Sequence, residues 1–249
     1  MKKKRRGSSR YFVVFIFLII LLFGGFIGIK RIIQSIGYFN IEKIEVVGNN
    51  ILEPDFLLNL CNDLIGENLF SVSKKDILKK YENVIRIKDI KVLKIIPGKL
   101  KIKIIERKAV FLIKTKEGVL YPVDEDKIIL DSNYSFKEIL PIISLGLSKN
   151  EIIFGKVISN EFIDRIFDFR LSVNSVESKF FNKISEFYEE DEDIYMVELN
   201  KGYKIIFGDG EMEDKLKRFM FLEKNRDFER GSIIDLRFKD RLIIRSEEG

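Results

Sequence analysis

The residue types that most often perform catalysis are nearly absent from this sequence. Its 249 residues include no histidine and a single cysteine, Cys61. Without imidazole there is no Ser-His-Asp or Cys-His nucleophile system and no imidazole-bound zinc. One thiol provides neither an internal disulfide nor a Cys-x-x-Cys site. Cys61 stands among apolar residues at helical spacing, which predicts a small buried side chain. The missing residue types therefore exclude most familiar enzyme mechanisms.

Carboxylates are the chemistry-bearing groups that remain. Five consecutive acids, Glu189–Asp193, could in principle ligate calcium, but their position between two strand-like segments favours an exposed loop. Asp209-Gly210 is typical of a turn, since no lysine or second glycine stands where a phosphate-binding loop needs them. No acid lies in an apolar, glycine-bounded segment that would raise its pKa. We therefore expect no catalytic residue, no metal ion and no cofactor.

The net charge of +5 is unevenly distributed along the chain. Residues 1–31 carry eight basic side chains and no acid, whereas residues 32–249 carry 36 basic and 39 acidic side chains. A nucleic-acid-binding protein would show a basic face on its folded part. The distribution therefore predicts no nucleic-acid partner and draws attention to the N-terminus.

An uncharged apolar run of 19 residues, Tyr11–Ile29, follows the first basic cluster. A helix of that length spans about 28 Å, close to the thickness of the bilayer's hydrocarbon layer. The alternative is a cleaved signal peptide, but its apolar region is shorter and ends at an alanine-type site. Six basic residues precede the run and two follow it, which predicts a cytoplasmic N-terminus. We expect a basic tail (1–10), a transmembrane helix (11–29) and a linker (30–37).

Residues 38–107 have the pattern of a small α+β domain. Alternating residues predict strands over Ile41–Val47, Ile90–Ile95 and Leu100–Ile105, and Glu53-Pro54 begins a helix that continues to Leu64. Ser73 is a suitable N-cap for a second helix. In Lys99–Ile104, lysines alternate with Leu100, Ile102 and Ile104, which predicts one solvated and one buried face. The predicted order is β-α-α-β-β.

Three short segments in this domain resemble a known family. They are Val47–Asn49, the Gly-x-Asn-Leu-Phe turn at Gly66–Phe70, and the alternating stretch from Pro97 to Arg107. Together they resemble the POTRA domain of the bacterial cell-division proteins FtsQ/DivIB, in which this domain follows one transmembrane helix. Ile96 stands where that family usually has an aromatic residue. The resemblance implies a single-pass protein of the cell (inner) membrane with an extracytoplasmic C-terminal part, enriched at the division septum.

The predicted fold class of the whole chain is α+β. Residues 108–249 are predicted to form its second domain, a mostly antiparallel β domain with flanking helices. Its elements are a hairpin, a helix with an apolar face, a meander of three strands and a second helix. The hairpin is expected at Val110–Lys114 and Gly118–Pro122, followed by a short strand at Ile128–Leu130 and a proline-containing segment at Pro141–Ile143. The two helices are expected at Ile158–Phe169 and Met212–Met220. The strands of the meander are expected at Ile184–Phe187, Tyr195–Leu199 and Lys204–Phe207.

The end of the chain carries the predicted interaction site. A strand, Ile233–Phe238, a turn at Lys239-Asp240 and a last strand, Arg241–Arg245, resemble the terminal hairpin of FtsQ/DivIB. A last strand leaves one row of backbone groups free for strand addition. The resemblance implies that FtsB/DivIC-like and FtsL-like proteins bind here. The residues concerned are Arg237, Phe238, Arg241, Leu242, Ile243, Ile244 and Arg245.

A purely structural interpretation of the same hairpin is that Ile234, Leu236 and Phe238 are the inward face of a core strand. Alternation then places Asp235 and Arg237 on the opposite face, so both interpretations can hold.

Three functions remain open from the sequence. The first is a non-catalytic scaffold of the division machinery that links its partners and helps to regulate septal wall synthesis. The second is an envelope chaperone or secretion and assembly adaptor, because POTRA domains occur there too. The third is a membrane-anchored hydrolase that uses paired carboxylates.

Overall fold

A computed structural model describes residues 8–131, 139–176, 180–208, 210, 212–238 and 241–246, without the side chains at 8–10, 23, 26, 27, 29, 30, 174–176 and 212. By internal contacts the chain divides into two units, Met1–Glu106 and Arg107–Gly249. The helices are α1 (Ser8–Ser35), α2 (Pro54–Asn59), α3 (Lys74–Lys80), α4 (Glu161–Val176) and α5 (Met212–Asn225). The strands are β1 (Lys43–Val47), β2 (Ile87–Ile95), β3 (Lys99–Glu106), β4 (Ala109–Lys114), β5 (Leu120–Asp124), β6 (Ile142–Ser144), β7 (Ile184–Glu190), β8 (Asp193–Glu198), β9 (Lys204–Ile206), β10 (Ile233–Asp235) and β11 (Ile243–Arg245).

Strand β3 is the centre of the first unit's sheet. It pairs parallel with β1 and antiparallel with β2, giving the order β1-β3-β2. Leu100, Ile102 and Ile104 are fully buried, as the alternation predicts. The sequence thus places this strand and its buried face correctly, while its central position comes from the structure.

The two short helices of this unit begin where the sequence places their first residues. Pro54 opens α2, where a missing N–H costs no helical hydrogen bond. At α3, the Ser73 hydroxyl accepts a bond from the Asp76 amide and the Asp76 carboxylate accepts one from the Ser73 amide. This reciprocal capping box fixes the start of α3. The expected continuation of α2 to Leu64 is wrong, because α2 ends at Asn59 and a separate 3₁₀ turn holds residues 62–64.

The second unit contains an eight-stranded sheet with the order β11-β10-β9-β8-β7-β6-β4-β5 among the described residues. Four of its strand pairs are antiparallel, but β4–β6, β6–β7 and β9–β10 are parallel. The sheet is therefore mixed: antiparallel pairs are the majority, as the sequence suggested, and the three parallel pairs were not predicted. Two of the three parallel pairs arise because α4 connects β6 to β7 and α5 connects β9 to β10, each as a crossover.

One face of the large sheet is covered by α4 and α5. The main apolar core joins Phe162, Ile166 and Phe169 of α4 to Leu216 and Phe219 of α5. The paired strands contribute an inner row that runs directly across β7 to β10, namely Phe187, Met196, Ile205 and Ile234. This core holds the C-terminal hairpin in place.

Three predicted strands differ in the structure. The last strand, expected over Arg241–Arg245, begins only at Ile243. Ile128–Leu130 forms only isolated bridges, Ile129 to Val123 and Ile128 to Val157, beside β5. The strand expected over Ile233–Phe238 stops at Asp235, because the Arg237 amide donates to the Asp235 carboxylate and turns the chain out of the sheet.

Helix α1 contains the apolar run of the sequence. Among the side chains that the structure describes, no helix supplies an apolar stretch of the length needed to cross a membrane.

Candidate partner-binding edge at the C-terminal hairpin

Strand β11 is the last strand at one end of the eight-stranded sheet. It pairs antiparallel with β10 in the register Ile233–Arg245, Ile234–Ile244 and Asp235–Ile243. In the part of the chain that the structure describes, no strand lies on its other side. We call this outer side of β11 the hairpin edge.

The backbone bonds of β10 determine which groups of β11 face outwards. The Leu236 amide donates to the Ile206 carbonyl, and the Lys204 amide donates to the Ser232 carbonyl. Even-numbered residues of this segment therefore bond to β9. Because successive residues of a strand direct their backbone groups to opposite sides, the odd-numbered residues Ile233 and Asp235 face β11.

The same alternation continues into β11. Ile243 and Arg245 stand opposite Asp235 and Ile233, so their N–H and C=O groups complete the bonds to β10. The N–H and C=O groups of Ile244 consequently point to the hairpin edge. That edge offers an incoming strand a backbone donor and acceptor at Ile244.

The side chains of the hairpin divide between the two faces. Ile234 and Leu236 are buried, and Leu242 and Ile244 pack against the same core. Ile243 and the half-exposed Arg245 lie on the opposite, outer face. The core face thus comprises Ile234 and Leu236 of the core interpretation together with Leu242 and Ile244, two of the residues predicted to bind a partner.

An arginine-covered carboxylate organises the outer face. Asp235 is only 1% exposed, although alternation places it away from the core. Its oxygens accept bonds from Arg237 Nε (2.9 Å), Arg237 Nη2 (2.6 Å) and Arg245 Nη2 (2.9 Å). Arg237 Nη1 also donates to Asp193 at the start of β8, 2.5 Å away. The arginines connect the end of β10 to β11 and to β8.

The charges of this cluster are mutually stabilising. Burial alone would raise the pKa of Asp235, but hydrogen bonds from Arg237 and the charges of Arg237 and Arg245 lower it overall. Hydrogen bonding to Asp235 raises the pKa of Arg237 in turn. The carboxylate therefore stays ionised to lower pH than an ordinary aspartate, and the ion pairs persist at neutral pH.

Gly208 provides the space that Arg237 occupies. It has a positive φ of 61°, and a Cβ at this position would lie 2.6 Å from Arg237 Cγ. A larger residue would displace the arginine from the carboxylate and would be strained as well.

Phe238 and Arg241 flank the tip of the hairpin. The Arg241 guanidinium lies over the Phe238 ring, 4.7 Å from its centroid, and Arg218 of α5 donates to the Phe238 carbonyl at 3.4 Å. The predicted turn at Lys239-Asp240 between them lies outside the described residues. Phe238 is thus a partly exposed aromatic beside the edge, held from both sides by arginines.

A tyrosine pair on the outer face was not predicted from the sequence. Tyr188 and Tyr195 stand directly opposite each other on β7 and β8, with stacked rings 5.1 Å apart. Burial raises the pKa of both phenols. Asp191 and Glu192, within the acidic run, form a two-residue turn with positive φ values of 50° and 66°, which sets this pairing.

The acidic run is therefore a hairpin turn with its outer members in β7 and β8. Among the described residues, no group of three or more acidic, cysteine or histidine side chains is placed to hold a metal ion. Of the turn predicted at Asp209-Gly210, Asp209 lies outside the described residues. Cys61 is buried as predicted, and its thiol donates to the Tyr81 hydroxyl at 3.1 Å.

Comparison with known proteins supplies the functional context. Residues 39–107 match the family model described as "POTRA domain, FtsQ-type". Proteins named cell division protein DivIB from two strains of Clostridium botulinum, Hall and Loch Maree, are 29% identical over 158 residues, which is 64% of this chain and 59% of theirs. The cell division protein FtsQ of Geotalea daltonii is 22% identical over 222 residues, 88% of this chain and 80% of its own. The match spans less than two thirds of the length of the DivIB proteins.

Proposed function

The POTRA match and these relatives support membership of the FtsQ/DivIB family, and we propose on that basis that the chain is a non-catalytic scaffold of the bacterial division machinery. The observation that carries the proposal is the pairing of an FtsQ-type domain with a sheet that ends in an open strand, β11. Such an edge recruits a partner by contact and requires no catalytic group.

In this proposal the chain is anchored in the cell membrane by residues 11–29. The support is the uncharged apolar sequence of the run and the exposure of every described side chain from Tyr11 to Leu22 on α1. The basic residues before the run hold the N-terminus in the cytoplasm. The POTRA domain (38–107) and the β domain (108–249) then stand outside the membrane and act at the septum.

The proposed partners are FtsB/DivIC-like and FtsL-like proteins, which would add a strand along the hairpin edge. Backbone bonds at Ile244 give the affinity. Ile243, Phe238 and Arg241 offer apolar and charged contacts beside the edge, while Arg237 and Arg245 keep it in shape through Asp235. By holding these partners together, the scaffold would help to regulate septal wall synthesis.

Depletion of the protein tests the scaffold role as a whole. We expect depleted cells to grow as undivided filaments, and a fluorescent fusion to collect at midcell, because a scaffold acts only where the machinery assembles. Normal division together with a diffuse envelope signal would contradict the proposal and would favour an envelope chaperone or adaptor.

Ile244→Pro tests the hairpin edge. Proline removes the one outward N–H at this position while the bonds from Ile243 and Arg245 to β10 remain. We expect co-purification of the DivIC-like partner to fall at least about tenfold, the equivalent of roughly 1.4 kcal/mol.

The matched control is Ile244→Val, which keeps the N–H and a β-branched side chain against the core. It should bind as the unaltered chain does. If both variants bind equally well, the partner contacts another surface. Charged substitutions at Leu242 or Ile244 would place a charge against the core on which both side chains pack, which proline does not.

A further inference from the structure

Two turns lie at the end of the POTRA domain where the chain enters from α1. The Gly98 carbonyl accepts bonds from the amides of Glu42 (2.8 Å) and Lys43 (3.2 Å), and a Cβ on Gly98 would collide with the Asn40 carbonyl oxygen. The turn Ile96-Pro97-Gly98 between β2 and β3 is therefore pressed against the chain that has just left α1. We call this end of the domain the entry end.

The second turn, residues 66–70, attaches the entry end to the helix. Asn68 is 7% exposed, and its amide nitrogen donates to the carbonyls of Ile33 (3.2 Å) and Ile36 (3.3 Å). The Gln34 side chain donates to the Phe70 carbonyl at 3.4 Å. The last turn of α1 is thus bonded to the domain, and the entry end is held close to the helix terminus.

Large apolar side chains at the entry end are left uncovered. Ile96 is 61% exposed and Tyr38 is 67% exposed, and Pro97, which follows Ile96, is exposed too. Tyr38 stands edge-on to Phe39, which in turn meets Phe70. An exposed tyrosine with an apolar body and a polar tip is the residue type that accumulates at membrane–water interfaces.

The length of α1 places these side chains at the level of the lipid headgroups. The apolar run ends at Ile29, and α1 continues for six more residues to Ser35, a rise of about 9 Å. The headgroup layer on each side of a bilayer is roughly 5–8 Å thick. An entry end bonded to the last turn of α1 therefore lies at the outer boundary of that layer, from which large side chains can reach back into it.

We propose that Ile96, Pro97 and Tyr38 insert into the outer surface of the phospholipid bilayer and hold the POTRA domain against the membrane. This inference rests on the membrane anchor of the proposed function. The contact is apolar, so it needs no particular lipid charge. It restrains the domain beyond what the helix alone does, since the entry end would be fixed at α1 and at the turn before β3.

The absence of tryptophan from the chain allows a direct test. Single-tryptophan variants of the full chain, Ile96→Trp and Tyr38→Trp, are reconstituted into vesicles of phosphatidylcholine and phosphatidylglycerol, with and without brominated acyl chains. Bromine quenches only tryptophans that reach the lipid. We expect both variants to emit at shorter wavelength than a water-exposed tryptophan does and to lose emission in brominated vesicles, at low and at high salt.

Phe56→Trp is the matched control. Phe56 belongs to the same domain and is 46% exposed. It lies four residues after Leu52, whose amide donates to Glu106 at the opposite end of β3 from the entry end. That end is roughly 23 Å from the entry end, because β3 has eight residues. Its emission should be unchanged by bromine.

A fourth variant, Ile19→Trp, reports on the anchor separately. Quenching at Ile19 without quenching at Ile96 and Tyr38 overturns the surface contact and leaves the anchor intact. Absence of quenching at Ile19 overturns the anchor and the contact together. Quenching at Ile96 that disappears at high salt also overturns the proposal, because an apolar insertion does not depend on screened charges.

Discussion

Glu106 in the first unit and Asp235 in the second are both buried carboxylates at a strand end, and the two are stabilised in different ways. Glu106, the last residue of β3, is 8% exposed and accepts bonds from the backbone amides of Asn50, Ile51 and Leu52 at 3.0–3.2 Å. Asp235, the last residue of β10, is 1% exposed and is covered by arginine side chains. Glu106 is bound by main-chain amides, whereas Asp235 accepts one main-chain amide, that of Arg237, and is otherwise bound by arginine side chains.

The difference separates a fixed region from an adjustable one. The amides at residues 50–52 belong to the loop that leads into α2, so Glu106 ties that loop to the end of β3 from within the POTRA domain. The arginines over Asp235 are 36% and 52% exposed and stand beside the hairpin edge. A partner that contacts Arg237 or Arg245 would therefore act on the ion pairs that shape its own binding site.

Removing Glu106 should cause the largest effect. Glu106→Ala takes the acceptor from three amides, one of them that of the buried Leu52, and we expect a loss of about 3 kcal/mol in the first unit. Amide hydrogen exchange of the full chain should accelerate at residues 50–57 and along β3, with no change in the second unit.

Glu106→Gln is the graded control, since it retains one acceptor oxygen without the charge. Its acceleration should be smaller than that of Glu106→Ala. Equal exchange in both variants and the unaltered chain would mean that the carboxylate contributes nothing to the domain.

The sequence predicts one of these two sites better than the other. Side chains two residues apart on a strand point to the same face. Because Leu100, Ile102 and Ile104 face the core, Glu106 must face it too, and the burial of this acid can be inferred from one strand alone. The amides that bind Glu106 lie more than fifty residues earlier in the chain and cannot be inferred from this alternation. The POTRA order, the Ser73 cap and the inward face of β3 are similarly local, and the sequence places them correctly.

The hairpin is harder to predict because its contacts cross several strands. Alternation places Asp235 outward and therefore exposed, yet Arg245 from β11 and Arg237 from beyond β10 cover it. Arg237, which the sequence predicts as a contact for a partner, is bound in the structure to Asp235 and Asp193. Only the register of β10 with β11 and the order of β8 to β10 bring these groups together, and no local spacing contains that information.

Arg237→Ala should have a smaller and more local effect than the loss of Glu106. It leaves Asp235 with Arg245 and water, and because Arg237 is more than a third exposed, we expect a loss of only about 1 kcal/mol. Hydrogen exchange should accelerate in β10 and β11 and not in the POTRA domain. Arg241→Ala is the matched control, because it removes an arginine of the same hairpin that lies over Phe238 and not over the carboxylate. Faster exchange with Arg241→Ala but not with Arg237→Ala would show that the hairpin depends on its tip, and the contrast between main-chain and side-chain stabilisation would fail.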